Sequence, residues 1–457
     1  MNVSSPASVA ILVCLAGCPV AEDVVQDTEG SSSSGGSTGA NTTTVSTSAS
    51  TTSQADSSTT DPTVTTTMTT TGETDSTDAS SSTTSQAECD SSIDCNDPDS
   101  PVCVDGSCVG CSSDQQCEEK NANVPACDDS GHCVECSATN TNACEGTVPL
   151  CDADIGSCVG CTFHEQCPGA ACHIYTGACF APTSVIHVGP TQTFTTIASA
   201  VASVMDGEEA VLLVDAGSYS EPSILVTGDR QVAILAADDD AQVTWVDNQG
   251  TAHLVVDNGA EAYLQSLRVT LNLNSGLEAL QADGAALYLD RMQFFTNDHG
   301  AVAFVGGATG QIRSSFVMSG FTTAGVVVSD STLDVVYSTL GAMNANALYC
   351  EGAFTTNVRN SFLVRSQSSP AVNCDGATFE TSAAPETLDG TANVELPAFD
   401  TTWFANYGGG DLSLTASAPA DVLTAAVWLA GDPSVDFHGD ARPNVEGTAD
   451  AAGADLP

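Results

Sequence analysis

FTTIASAVASVMDGEEAVLLVDAGSYSE, residues 194–221, changes period part-way along. In its first half Ile197, Val201 and Val204 recur at i, i+4 and i+7, the spacing of one helix face. Asp206-Gly207 ends that helix, because glycine reaches positive φ at a helix end without a Cβ penalty. Residues 210–215 then form a continuous apolar run of strand length, and Gly217-Ser218-Tyr219-Ser220-Glu221 follows it.

Downstream, the strand half of this pattern is repeated without the helix. A short apolar strand running into a turn recurs at 255–259, 280–284, 304–307, 327–330, 348–352 and 372–376, with neighbouring turns about 21 to 25 residues apart. Each turn leads to a second apolar strand: 264–269, 289–294, 312–317, 335–340 and 358–364. That is the chain needed for one coil of three short strands at about 3.3 Å per residue plus turns, and stacked coils bury an apolar column that one coil cannot. Cys350 and Cys374 fall two residues before the turn glycines of consecutive coils, which leaves them as either a disulfide or a ladder of stacked thiols.

Helix, Asp-Gly stop, apolar strand and Gly-x-Tyr-x-Glu together resemble the capped start of the pectin-lyase-like right-handed parallel β-helix superfamily. The resemblance covers residues 184–457, and it implies a mainly β fold with the helix itself over 184–396. The stretch Asp436-Phe437-His438-Gly439-Asp440-Ala441-Arg442-Pro443 and the later 450–455 resemble the closing segment of bacterial exported β-helices of the choice-of-anchor type, with Asp455 where an acidic residue is usual. The resemblance implies that 397–457 is a capping segment over the open edge of the last coil.

Upstream the composition differs entirely. Sixteen of the 20 cysteines lie between Cys89 and Cys179, in four sets of four. The sets are Cys89, Cys95, Cys103 and Cys108; Cys111, Cys117, Cys127 and Cys133; Cys136, Cys144, Cys151 and Cys158; and Cys161, Cys167, Cys172 and Cys179. Their starts are 22, 25 and 25 residues apart, and three joints read Cys-Val-Gly-Cys or Cys-Val-Glu-Cys. With Phe163, Tyr175 and Phe180 the only aromatics in 88–180 and Leu150 its only leucine, no apolar core holds this segment. Eight disulfides, two per repeat, are expected to do so, and spacing alone leaves their pairing open. Zinc knuckles are the competing use of such cysteines. The layout resembles Cys-rich tandem segments of myxobacterial lipoproteins, a likeness that implies no activity.

Before the cysteines, Ser and Thr fill 36 of the 56 positions from 31 to 86. A segment with so few large apolar side chains cannot offset the entropy of ordering, so 19–87 is expected to be a disordered linker or stalk. Residues 7–17 form an apolar run of eleven, too short for a membrane span and right for a signal h-region. The run ends in Leu15-Ala16-Gly17-Cys18, which resembles a bacterial lipobox; 1–18 then reads as a signal peptide with Cys18 the lipidated residue, although Met1–Pro6 lacks the usual Lys or Arg. Otherwise the chain would be secreted without lipid. Either way the remainder is placed outside the cytoplasm, at an outer membrane or cell surface, with membrane contact by lipid anchor only.

The chain carries 58 acidic and 8 basic residues, a formal charge of -50. Such a field excludes nucleic acid as a partner and favours soluble cations. Calcium is the cofactor that acidic turns would admit; no other is expected. Asp238, Asp239 and Asp240 form the densest acidic run, and a solvated turn is its plainer reading.

Uronate lyases use Arg or Lys as base, so Arg268, Arg291, Arg313 and Arg359, at similar offsets from their turns, are the candidate catalytic residues. A surface row of ion pairs is the plainer account, since Arg291 follows Asp290. His253 and His299 stand without a Ser or Cys arrangement that would make a nucleophile. The sequence assigns no catalysis and favours an anchored protein displaying a β-helix toward a glycan or cell-envelope partner. A polysaccharide lyase or glycoside hydrolase working on the helix flank is the alternative.

Overall fold

The structure, a computed structural model, describes residues 89–457 except 145, 168, 239–241, 248–251, 272–277, 297–299, 321–322 and 367–369. The signal and lipobox around Cys18, the Ser/Thr-rich linker, Asp239, Asp240 and His299 lie outside the described residues.

Each Cys-rich repeat is a helical turn stapled to a β-hairpin. The helical turns are Ser92–Asp94, Asp114–Lys120, Thr141–Ala143 and His164–Gln166. The hairpins pair Val102–Val104 with Ser107–Val109, Ala126–Cys127 with Cys133–Val134, Leu150–Asp152 with Ser157–Val159, and Cys172–His173 with Ala178–Cys179. In every repeat the first cysteine bonds the third and the second bonds the fourth, beginning with Cys89–Cys103 and Cys95–Cys108 and ending with Cys161–Cys172 and Cys167–Cys179. All sixteen thiols are therefore used, and none is left to hold zinc. Gly160 in the last joint shows why glycine stands there: a Cβ would lie 2.9 Å from the Cα of Gly177 in the following hairpin turn. Disulfides in this number are the chemistry of an oxidising, extracytoplasmic environment.

From Val185 onward the chain winds into a parallel β-helix of three sheets with ten, nine and seven strands. The first sheet runs from Val185–Val188 to Gly390–Thr391, the second from Gly217–Ser220 to Val394–Glu395, and the third from Ile224–Val226 to Val372–Asn373. The helix Ile197–Val201 stands at the start of the solenoid, and its first two N–H groups, on Ile197 and Ala198, donate to the carboxylate of Glu221 at 2.6 Å. Pairing is in register, so side chains of like kind stack. Ile234, Leu264, Leu289, Ile312, Val335 and Val358 form one inward column of the first sheet, and all are buried. Cys350, in the third-sheet strand Leu348–Glu351, and Cys374, just past the adjacent strand Val372–Asn373, have Cα atoms 4.5 Å apart and are disulfide-bonded.

The second apolar strand expected in each coil is in fact two. It bends between the first and second sheets at one residue with positive φ: Ser266, Arg291, Ser314, Tyr337, Asn360 and Thr381 make the series. One left-handed residue turns the chain sharply while preserving alternation on both sides, which is why a single continuous run was legible. Behind this corner runs a ladder of buried serines. The Oγ of Ser315, Ser338, Ser361 and Ser382 accepts, in turn, the N–H of Met292, Ser315, Ser338 and Ser361.

The closing segment follows the last strand of the second sheet, Val394–Glu395. It folds back along the flank, packing Trp403, Phe404, Tyr407, Leu412 and Val422 against Phe316, Met318, Phe362 and Ala383 of the second sheet and its approaches. The reason lies in the outward faces of those strands: they present large apolar groups, which cost more to leave wet than a short polar coil end.

Candidate ligand groove

The four arginines do not form one row. Arg313 and Arg359 stand in the same outward column of the first sheet, separated by Val336. Arg291 is one position further on, in the corner, and Arg268 lies on the second sheet between Thr244 and Gln293.

Arg291 and Arg313 meet the last Cys-rich repeat. The Arg291 guanidinium pairs with Glu165, which also accepts from Gln265 Nε2 at 2.8 Å. Arg313 Nη1 donates to the Thr162 carbonyl at 2.5 Å, and its Nε lies 3.9 Å from Asp290. Aromatic packing continues the joint: His173 stacks on Phe180 at 3.6 Å, Phe180 meets Tyr263 edge-on, and Tyr263 stacks on Tyr288 at 4.7 Å. Burial in this joint depresses His164 to about 3, its Nδ1 accepting the Cys172 N–H. A cavity of about 240 Å³ remains beneath, lined by Phe163, Glu165, Asp290, Arg291, Arg313 and 433–435.

Arg359 belongs to the other cover, pairing with the buried Asp432 of the closing segment. The histidine-containing motif there is a brace. Asp436 accepts the N–H groups of His438, Asp440 and Leu456, each at 2.8 Å. Arg442 donates to Asp450 at 3.0 Å and to the Gly453 carbonyl at 2.8 Å, with its guanidinium over the Tyr337 ring. Asp455 accepts the Leu414 N–H at 2.6 Å; burial raises its pKa to about 6, against the pull of that bond and of His438. Among the other candidates, Asp238 is exposed, and His253 is buried with Nε2 3.1 Å from the Thr270 carbonyl.

Arg268 is different. The closing segment meets the second sheet at Gln293, whose Nε2 donates to the Gly410 carbonyl at 3.0 Å. Beside that bond a groove of about 570 Å³ lies between the sheet and the segment. Gln242, Ser266, Arg268, Arg291 and Gln293 line it on the solenoid side, and Asn406, Asp411, Phe437 and His438 on the side of the closing segment. Arg268 Nε is buried without a hydrogen-bond partner, as are the Nε atoms of Arg230, Arg313, Arg365 and Arg442; among the described residues neither Arg268 nor Arg230 makes an ion pair. Asp411 is engaged by Ser413 through its N–H at 3.1 Å and its hydroxyl at 2.7 Å.

Residues 70–185 match a family described as "Family of unknown function (DUF8331)", a span that contains the Cys-rich repeats. No curated protein matches the chain. Among solved structures, pectin methylesterase from Aspergillus niger is similar at 11% identity over 47% of this chain and 84% of that one, with a TM-score of 0.23. Pectate lyase Pel9A is similar at 9% identity over 58% of this chain and 89% of that one, with a TM-score of 0.29. At these identities and scores neither likeness bears on chemistry, and the fold rests on the strand pairing above.

Sequence reasoning missed the amides of the groove, because Gln242, Gln293 and Asn406 carry no motif. The serine ladder did leave a trace: Ser315, Ser338 and Ser361 recur every 23 residues, each just before a residue that heads a second-sheet strand.

Proposed function

We propose that this chain is an exported surface protein that presents its β-helix to a glycan or cell-envelope partner and performs no catalysis of its own. It is anchored by lipid at Cys18 or else secreted. One observation carries the reading: Arg291 and Arg313, well placed in sequence to serve as a base, are committed to Glu165 and Thr162 of the Cys-rich repeat. A guanidinium held in that way joins two segments into one body; it does not reach a substrate proton. The disulfide-held repeats and the solenoid thus form a rigid mount beyond the expected stalk.

Fatty-acid labelling of wild type and Cys18→Ala tests the anchor, with label expected in the first and lost in the second. Label that persists in the variant removes the lipid from the account. Incubation of the full-length chain with a polysaccharide panel tests the rest. Retention without new reducing ends or unsaturated products is expected, and steady product release would establish the lyase or hydrolase alternative.

A further inference from the structure

The outward faces of the first two sheets are met by other segments of the chain. The last Cys-rich repeat lays Phe180 against Tyr263 and Tyr288 of the first, and the closing segment packs on the second. On the third sheet, alternation points every second residue outward, and the register stacks these residues as Leu225, Val255, Gln281, Ala303, Val327 and Tyr349. None of the six belongs to a hydrophobic cluster of the described residues, and Leu225 is 50% exposed. With strands about 4.8 Å apart the column is about 24 Å long. It is an apolar stripe interrupted once, by Gln281, and a continuous apolar stripe at a surface marks a place of contact.

Beside the stripe runs a row of acids, two residues further along each strand. Asp257 and Asp283 are neighbours there, and Glu351 holds the equivalent place beyond Tyr349. Asp283 and Glu351 are exposed. Asp257 Oδ1 is buried with no hydrogen-bond partner, the one carboxylate oxygen in that condition among the described residues. A dry acceptor of this kind is costly until a donor reaches it. No Lys or Arg stands on any of the seven strands, and the nearest along the chain, Arg230, comes four residues after the first of them. The complementary charge must come from a partner.

We propose that the third-sheet face docks a basic amphipathic helix of a protein partner, its apolar side along Leu225 to Tyr349 and its lysines or arginines over Asp257, Asp283 and Glu351. The stripe crosses strands that are already paired on both sides, so the partner's backbone must satisfy its own hydrogen bonds, as a helix does. At 1.5 Å per residue about 16 residues match the column. The net charge of -50 draws any basic partner in, and the apolar stripe selects among them. This deepens the display function proposed above by naming the partner's chemistry, and it rests on that function.

The test is fluorescence anisotropy of the full-length chain with a labelled leucine–lysine peptide of about 16 residues, its leucines at helical spacing, in about 0.15 M salt. An isomer of the same composition, its order scrambled so that no apolar face forms, is the control. Wild type is expected to bind the amphipathic peptide about tenfold or more tightly than the isomer. Val327→Asp should weaken that binding about tenfold. The double variant Asp257→Asn/Asp283→Asn, which keeps side-chain size, should weaken it about threefold. Asp334→Asn, on the outward face of the first sheet, should bind as wild type does. Equal affinity for the two peptides would overturn the inference, since net charge alone would then account for capture. Wild-type affinity in Val327→Asp or in the double variant would overturn it as well. Either result leaves the display function standing, which falls only to polysaccharide cleavage.

Discussion

The Cys-rich repeats and the β-helix are both repeats of 20-odd residues, yet they are held together by opposite means. A repeat such as 136–158 has one leucine and no aromatic residue, and its two bridges, Cys136–Cys151 and Cys144–Cys158, stand where a core would be. A coil such as 286–305 instead buries Leu287, Leu289, Phe294, Val302 and Phe304 against its neighbours above and below. The first kind of repeat closes on itself, so it can be strung in any number as a rod. The second closes only by stacking, so each coil depends on the next.

Reduction should separate the two most sharply. Each bridge in 88–180 stabilises by roughly 2–4 kcal/mol, so dithiothreitol is expected to leave that segment unfolded and open to protease while the solenoid keeps its far-UV sheet signal. Loss of both together would show that the solenoid leans on the rod.

A core truncation probes the converse. Phe304 is fully buried and fills the space left by Gly310, where a Cβ would overlap its ring. Phe304→Ala should cost about 3–5 kcal/mol in denaturant unfolding of the solenoid, with the Cys-rich hairpins unaffected in hydrogen exchange. Smaller, and confined to one corner, is Ser338→Ala. It removes the acceptor of the Ser315 N–H inside the solenoid and should cost about 1–3 kcal/mol; a change within error would mean the ladder is incidental.

The finest contrast is in pH. His164, in the last repeat, is depressed to about 3 from 6.5, so its contribution is present above the unfolded value and is lost as pH falls from 6.5 toward 3. Asp455, in the closing segment, is raised to about 6 from 3.8, so its contribution is present below 3.8 and is lost as pH rises through 6. Lowering pH from about 7 to about 4 should therefore loosen 161–179 and tighten 411–456, read as opposite changes in hydrogen exchange once intrinsic rates are corrected. Parallel changes in the two regions would refute that assignment.

Much of the architecture was legible because its causes are local. Val255, Leu280 and Val372 each stand a few residues before a turn, and the spacing of the turns is the length of a coil. The corner at Arg291 was not legible: positive φ at a non-glycine residue leaves no mark on polarity alternation. Nor was the course of 397–457. The partners of its motif residues Asp436 and Arg442, Leu456 and Asp450, are internal to the segment, and the surface that draws it down is Phe316 and Phe362, distant in sequence. The candidate site was read in part. The four arginines were singled out, but their offsets could not separate Arg268 from the three with carboxylate partners.

The sequence alone determined the period of the coils, the stapled character of 88–180 and the scarcity of positive charge, since each follows from residue type and spacing along the chain. Only the tertiary structure decided which cysteine meets which within a repeat and which arginines meet an acid. Glu165 reaches Arg291 across 126 residues and Asp432 reaches Arg359 across 73. Contacts at that separation are set by how coils stack and how segments fold back over them, which no local pattern records.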